Sequence, residues 1–298
     1  MSNLELSRAQ RLDQKVVELV PGVSRAFAAK LIEQGKVRVN GEVTPKPGYK
    51  LHEADRVAVE YDVSELAAIP HIDVPVLYED ADCVVISKPV GVLSHSKGAF
   101  NPEATVATWL REHLLKHKNT LWEVCPPKGG GIDERAGIVH RLDRATSGVM
   151  ICAKTPAALK HLQRQFAQRR VKKTYVAVVS GQLPHEHAII DMPIERNPKR
   201  PQTFRVGANG KPAKTQYHVV RVSGELTELE LAPQTGRTHQ LRVHLSNLGH
   251  PIVGDELYGG RPAERLYLHA RELEITLPNR ERRTFTAATP PAFTDIMK

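Results

Sequence analysis

The sequence predicts an α+β protein: a domain on a mixed, largely antiparallel sheet flanked by helices, preceded by a small helix–hairpin module. Three observations point there. The 298 residues are too many for one small module, and 41 % of them are apolar, enough for a sizeable core. Segments with strand character follow one another in hairpin-like pairs, and the helical segments are interspersed instead of alternating strand by strand, as a doubly wound sheet requires. A stretch over 62–75, with Pro70 and Pro75 and few apolar residues, reads as a linker between a unit over 1–61 and a unit over 76–298.

In the first unit Leu12, Val16, Leu19 and Val20 have helical spacing. Pro21-Gly22 breaks the chain, Ser24 is a candidate N-cap for a second helix with Phe27, Leu31 and Ile32 on its apolar side, and Gly35 ends that helix. Val37 and Val39 alternate with Lys36 and Arg38, and Asn40-Gly41 supplies a tight hairpin turn before Val43. Six basic residues over 20–50 face only Glu33 and Glu42, so the helix-to-hairpin corner, with Arg25, Lys36 and Arg38, is positive.

In the second unit Val76-Leu77-Tyr78 and Cys83-Val84-Val85-Ile86 read as strands, and Lys88-Pro89-Val90-Gly91 as a turn leading to His95. A helix is predicted around 104–115 and a plain flexible loop at Pro126–Gly131, whose glycines lack the following Lys-Ser/Thr pair of a phosphate cradle. After the strand Val149-Met150-Ile151-Cys152, Thr155-Pro156 opens a helix with Pro at its first position. Its buried stripe is Leu159, Leu162 and Phe166, and Lys160 and Arg164 mark a basic side. Strands follow at 174–179, 215–222 and 226–232, and a helix starts near Thr238, where Leu241, Leu245 and Leu248 have helical spacing ahead of Gly249.

The formal net charge is +9, and it is concentrated. Residues 154–173 hold seven Lys or Arg and no acid, and residues 196–221 hold another seven and no acid, which leaves the rest of the chain net acidic. Such clustering is the electrostatic footprint expected of a nucleic-acid binder. Cys83, Cys125 and Cys152 are odd in number and far apart, which argues against a disulfide framework or a zinc site. The N-terminus has no apolar leader and no eighteen-residue apolar run occurs, so a cytoplasmic protein without a membrane partner is expected.

The most informative stretch is His140-Arg141-Leu142-Asp143-Arg144-Ala145-Thr146-Ser147-Gly148. It sets one carboxylate among two arginines and a histidine on a turn before a strand, and nearby positive charge favours the ionised carboxylate that a nucleophile or base needs. A second stretch, Pro233-Gln234-Thr235-Gly236-Arg237-Thr238-His239-Gln240-Leu241-Arg242, places Arg237 at a helix start, where the dipole disfavours a cation. A facing carboxylate would supply the compensation, so Arg237 is expected to pair with Asp143. His140, His239 and His244 have no carboxylate or cysteine at ligand spacing and are read as hydrogen-bonding and RNA-facing, with no metal.

These two stretches resemble the signatures of the RluA family of RNA pseudouridine synthases. The resemblance extends in order through Lys88–Gly91 with His95, Lys173-Thr174-Tyr175-Val176-Ala177, Gly249–Asp255 with Tyr258-Gly259, and Leu268-His269-Ala270. Residues 8–60, through Ser24-Arg25-Ala26, Leu31-Ile32 and Gly35–Gly41, resemble the S-four RNA-binding module. A tyrosyl-tRNA synthetase can carry that module, but this chain lacks the His-Ile-Gly-His and Lys-Met-Ser-Lys-Ser segments of such an enzyme.

The resemblance implies an isomerase that detaches uracil at nitrogen one, turns it and rejoins it through carbon five. It implies Asp143 as nucleophile or base, Arg237 as its arginine partner and Tyr175 against the target base. His140, Arg141, Lys173 and Leu241 would contact the substrate, and Lys160 and Arg164, with the basic loop 196–214, would clamp its backbone. Arg25, Lys36 and Arg38 would bind RNA in the first unit. No cofactor is implied, because the reaction is an isomerisation. The expected partner is structured RNA, large-subunit ribosomal RNA first and transfer RNA second, bound by a monomer. Two other classes are weighed against this. A non-catalytic RNA-binding protein is disfavoured by the presence of Asp143, and a nucleoside hydrolase would release free uracil.

Overall fold

A computed structural model describes residues 10–20, 25–44, 46–60, 70–95, 103–116 and 137–298. The expected Ser24 cap, the Pro21-Gly22 break, the Pro126–Gly131 loop, Cys125 and most of the linker lie outside the described residues. The chain divides into two compact units.

In the N-terminal unit the helices α1 (Leu12–Leu19) and α2 (Arg25–Glu33) share a core with the sheet β2-β1-β3, made of β1 (Val37–Val39), β2 (Glu42–Val43) and β3 (Val57–Val59). Leu12, Val16, Leu31, Ile32, Val37 and Val39 fill that core. Gly35, at φ +74, ends α2 in a left-handed cap in which the Lys36 N–H bonds the Leu31 carbonyl at 3.0 Å. Asn40 and Gly41 both have positive φ (54° and 87°) between Val39 and its pair Glu42, the backbone that a two-residue type I′ hairpin requires. Arg25 is paired with Asp13 and Arg38 with Glu60, so of the three expected RNA contacts only Lys36 is in no ion pair among the described residues.

The larger unit is organised by a nine-stranded sheet in the order β4-β5-β6-β13-β7-β12-β11-β8, with β14 on β13. Its strands are β4 (Val76–Glu79), β5 (Cys83–Lys88), β6 (Ser147–Ala153), β7 (Lys172–Ser180), β8 (His187–Asp191), β11 (Lys214–Ser223), β12 (Leu226–Pro233), β13 (Leu268–Thr276) and β14 (Arg282–Thr286). Every pairing is antiparallel except β13 with β6. Between β8 and β11 the short strands β9 (Ile194–Arg196) and β10 (Phe204–Val206) form a hairpin of their own, so the expected basic loop 196–214 is partly sheet. Beyond the N-terminal pair, the helical elements described are α3 (Val106–Lys116), α4 (Pro156–Ala167), α5 (Gln240–Asn247), a 3-10 turn (Glu256–Tyr258) and α6 (Ala292–Asp295). Thr155 caps α4 through its hydroxyl, which accepts the Ala158 N–H at 3.1 Å, and Pro156 follows at the first position. The stripe that α4 buries is Ala158, Leu162 and Gln165 instead of Leu159, Leu162 and Phe166; Gln165 is satisfied by the backbone of Thr276, which lets a polar side chain sit inside.

One row of this sheet positions the functional region. Ala270 of β13 lies opposite Gly148 of β6 on one side and Tyr175 of β7 on the other, and Tyr175 lies opposite Leu231 of β12. Gly148 has φ +120, and a Cβ there would run into the Ala270 backbone, with its nitrogen at 2.6 Å. We expect Gly148→Ala to cost about 3 kcal/mol or more, since positive-φ strain adds to overpacking against a strand that cannot yield. Gly224→Ala, at φ +55 with open space around it, carries the strain alone. The difference between their unfolding free energies in urea reports the clash together with the extra strain of φ +120 over φ +55.

Candidate active site

Two neighbouring segments pin the turn that carries Asp143. The Thr146 N–H donates to the Asp143 carbonyl at 3.0 Å, closing a four-residue turn that feeds β6. On one flank the Ser94 hydroxyl donates to the Leu142 carbonyl at 2.7 Å and accepts the Leu142 N–H at 3.0 Å. On the other, the Arg144 carbonyl accepts from the Gly91 N–H at 2.9 Å and from the Lys88 ammonium at 3.3 Å. Lys88 is fully buried and also donates to the carbonyls of Pro89 and Val92, at 2.8 and 2.6 Å. Burial pushes its pKa down to about 7, against the opposing pull of Asp143. Lys88 and Ser94 were not among the expected site residues. Only the Lys-Pro-x-Gly block hinted at the first, and Ser94 carries no local signal.

The Asp143 carboxylate, 19 % exposed, has Arg242 Nη1 at 3.7 Å and His239 Nε2 at 3.8 Å. Arg242 is locked by a bidentate pair: its Nε and Nη2 each donate to Asp255 at 2.7 Å, and its guanidinium lies 4.9 Å over the Tyr258 ring. Burial works against the Arg242 charge, but the hydrogen bonds and charge of Asp255, with Asp143 behind, hold its pKa above the usual value. His239 shares a 2.7 Å hydrogen bond with the Tyr258 hydroxyl, which accepts the Phe204 N–H at 3.0 Å. Burial lowers the His239 pKa against the opposing pull of Asp143.

The expected Asp143–Arg237 pair is therefore not made. Arg237 Nε donates to the Pro212 carbonyl at 3.0 Å, and the arginine that faces Asp143 is Arg242, five residues on. The reason is local. The helix begins at Gln240 and not near Thr238, because His239 adopts a left-handed backbone (φ 57°) and Gln240 folds back to accept the Arg237 N–H at 3.0 Å and the Thr235 hydroxyl at 2.7 Å. Arg237 thus precedes the helix on a capped turn, while Arg242 projects from its first turn.

Of the expected residues, His140, Arg141, Asp143, Lys173, Tyr175, Arg237 and Leu241 line one cavity of about 450 Å³, within the usual range for a small-molecule site. Burial, with the charge of Asp143 adding, raises the Tyr175 pKa and keeps its phenol protonated. His140 stacks on Phe166, with centroids 4.4 Å apart, and its Nε2 accepts the Ile151 N–H at 3.1 Å. Its pKa falls to about 3, chiefly by burial, so it contributes shape and no charge. His244 does not face RNA. It is fully buried, hydrogen-bonded to Thr215 and to the Met192 carbonyl. Lys160 and Arg164 are exposed on α4 and do not line the cavity. Two non-glycine residues with positive φ, Arg169 and His239, do line it, and such strain collects at functional sites.

The basic footprint is smaller than the linear count suggests. Lys154 is buried against Glu79 at 2.6 Å, and Arg205, Lys214 and Arg221 pair with Glu195, Asp191 and Glu228. Among the described residues no group of three or more His, Cys, Asp or Glu side chains is placed to hold a metal ion, and no helix is long and apolar enough to cross a membrane. What the cavity offers is one carboxylate faced by a fixed arginine, an aromatic side chain close by, and cations at its wall. That set can attack or deprotonate a ligand while stacking on a planar ring.

Comparison with known proteins agrees with this chemistry. Residues 82–247 match the RNA pseudouridylate synthase family and residues 10–57 the S4 domain. The chain is 39 % identical over 254 residues to an uncharacterized RNA pseudouridine synthase of Aquifex aeolicus, covering 84 % of this chain and 77 % of that one. It is 38 % identical over 255 residues to the ribosomal large subunit pseudouridine synthase D of Escherichia coli, covering 85 % and 74 %. Among solved structures, human RNA pseudouridylate synthase domain containing 1 superposes with a TM-score of 0.57 at 29 % identity, covering 75 % of this chain and 88 % of that one.

Proposed function

The chain belongs to the RNA pseudouridylate synthase family, and from that premise we propose that it converts specific uridines of large-subunit ribosomal RNA to pseudouridine. The observation that carries the reading is the Asp143 carboxylate, faced by Arg242 at 3.7 Å in a cavity shared with Tyr175. Asp143 acts as nucleophile or base. Arg242 holds it, and Tyr175 and Leu241 give the uracil an aromatic and an apolar surface to pack on. Arg237 and Arg141, at the cavity wall, meet the RNA backbone. The target uridine leaves its stack to enter, at a cost of a few kcal/mol that favours loops and distorted helices.

Ribosomal RNA is favoured over transfer RNA by the names of the Escherichia coli relative and its counterparts and by the N-terminal RNA-binding module. We assign RNA docking to residues 1–61 and catalysis to 76–298, joined by the linker 62–75, in a monomer that works in the cytoplasm. Sequencing of carbodiimide-treated ribosomal RNA from cells lacking the protein tests the target. The expected result is the loss of a small set of large-subunit pseudouridine stops. An unchanged ribosomal pattern with a stop lost in a transfer RNA would move the reading to that substrate.

A further inference from the structure

Lys173 and Tyr175 are two residues apart on β7, so their side chains leave the same face of the sheet, and both line the cavity that holds Asp143. The Lys173 ammonium has three donors but a single hydrogen-bond acceptor among the described residues, the Thr235 carbonyl at 3.2 Å, and it enters no ion pair there. Asp143 is faced by Arg242 and His239 instead. A half-buried cation with two unused N–H bonds, on the strand that presents the aromatic ring, is arranged for negative charge that appears inside the cavity. Burial lowers the Lys173 pKa to about 8, which leaves the amine mainly protonated at neutral pH.

We propose that Lys173 is a catalytic residue that hydrogen-bonds the detached uracil and stabilises the charge it carries between cleavage and rejoining. The inference rests on the synthase reading above. When the bond from the anomeric carbon to nitrogen one breaks, its electron pair stays with the base, and the charge spreads onto the two carbonyl oxygens. Lys173 donates to one of those oxygens and remains protonated throughout. The ring then turns, carbon five bonds the anomeric carbon, and the proton lost from carbon five is balanced by one gained at nitrogen one. Backbone phosphates are a poorer match for this lysine, because the exposed Arg141 and Arg169 line the same cavity and are better placed to meet them.

The test uses the full-length protein on a transcribed fragment of large-subunit ribosomal RNA that the wild type modifies; the wild-type reaction itself establishes the synthase reading independently of Lys173. Lys173→Met is expected to keep RNA affinity within about two-fold and to slow single-turnover pseudouridine formation by about 10²-fold, the size of one lost charge-stabilising donor. Lys173→Arg is expected to recover at least a tenth of the wild-type rate. With 6-azauridine at the target site, whose ring better supports negative charge and keeps both carbonyls and the hydrogen at carbon five, the deficit of the Met variant shrinks about ten-fold. If the Met variant does not fold, Lys173→Gln is measured in its place. Equal deficits on both bases would overturn the proposal. So would an unchanged rate at saturation with weaker binding and a salt slope shallower by about 0.7, which marks a phosphate contact.

Discussion

Asp143→Asn is expected to lower pseudouridine formation by about 10³-fold or more while the protein folds and binds RNA as before. The substitution keeps the shape and removes the charge that either role of Asp143 requires. Stability is spared for a structural reason. Arg242 and His239 approach the carboxylate only at 3.7 and 3.8 Å, and the guanidinium is held by Asp255 whether Asp143 is charged or not. The Asn variant is therefore expected within about 1 kcal/mol of wild type in urea unfolding, as for a substitution that leaves no buried charge behind. A variant inactive only because it is unfolded would separate from this outcome at once by its lost transition.

Arg242→Met is expected to damage both fold and activity. It strips two 2.7 Å hydrogen bonds from Asp255, whose side chain is 1 % exposed, and leaves that carboxylate buried without a partner. Breaking a buried pair from one side costs about 3–5 kcal/mol, which in a protein of this size lowers the melting temperature by roughly 10 °C. The double variant Arg242→Met with Asp255→Leu removes both charges and is expected to recover most of that stability and none of the activity, because Asp143 still lacks its cation. Arg242→Lys keeps the charge but not the fork, so partial stability is expected. Arg237→Met is the control. Its one side-chain hydrogen bond among the described residues is to a carbonyl near the surface, and a change within about 0.5 kcal/mol is expected. Thermal melts of the four variants show which arginine is built into the fold, and the activity of the double variant set against that of Arg237→Met decides which one serves Asp143.

The contrast between those two arginines shows where the sequence is legible and where it is not. Local rules were readable. Asn40-Gly41 adopts its double positive-φ turn, Thr155-Pro156 caps and opens α4, and the Asp143 turn does feed a buried strand. The fold class follows from the order of strands and helices, and the segments that carry Asp143, Tyr175 and Leu241 do converge on one cavity. Partnerships across the chain were not readable. Arg237 is the odd cation only if the helix starts at Thr238, as the leucine spacing predicts, and nothing local shows that Gln240 does the capping or that Asp255, thirteen residues on, orients Arg242. The same limit hid the Lys154–Glu79 pair, which takes a lysine out of the apparent basic surface, and the Ser94 clamp on Leu142. The short strands β9 and β10 escaped because three residues are too few to establish a period, even where Phe204-Arg205-Val206 alternates.

Isomerisation of uridine within RNA by this chain is read out in a single reaction. Purified protein is incubated with transcribed large-subunit ribosomal RNA labelled with tritium at carbon five of uridine, and both released tritium and the digested nucleosides are measured. Tritium release is expected to be matched one for one by pseudouridine, with no free uracil and with both signals lost in Asp143→Asn. Free uracil in place of pseudouridine would reveal a hydrolase, and RNA bound with no tritium released would leave a binding protein; either result would rule out an isomerase.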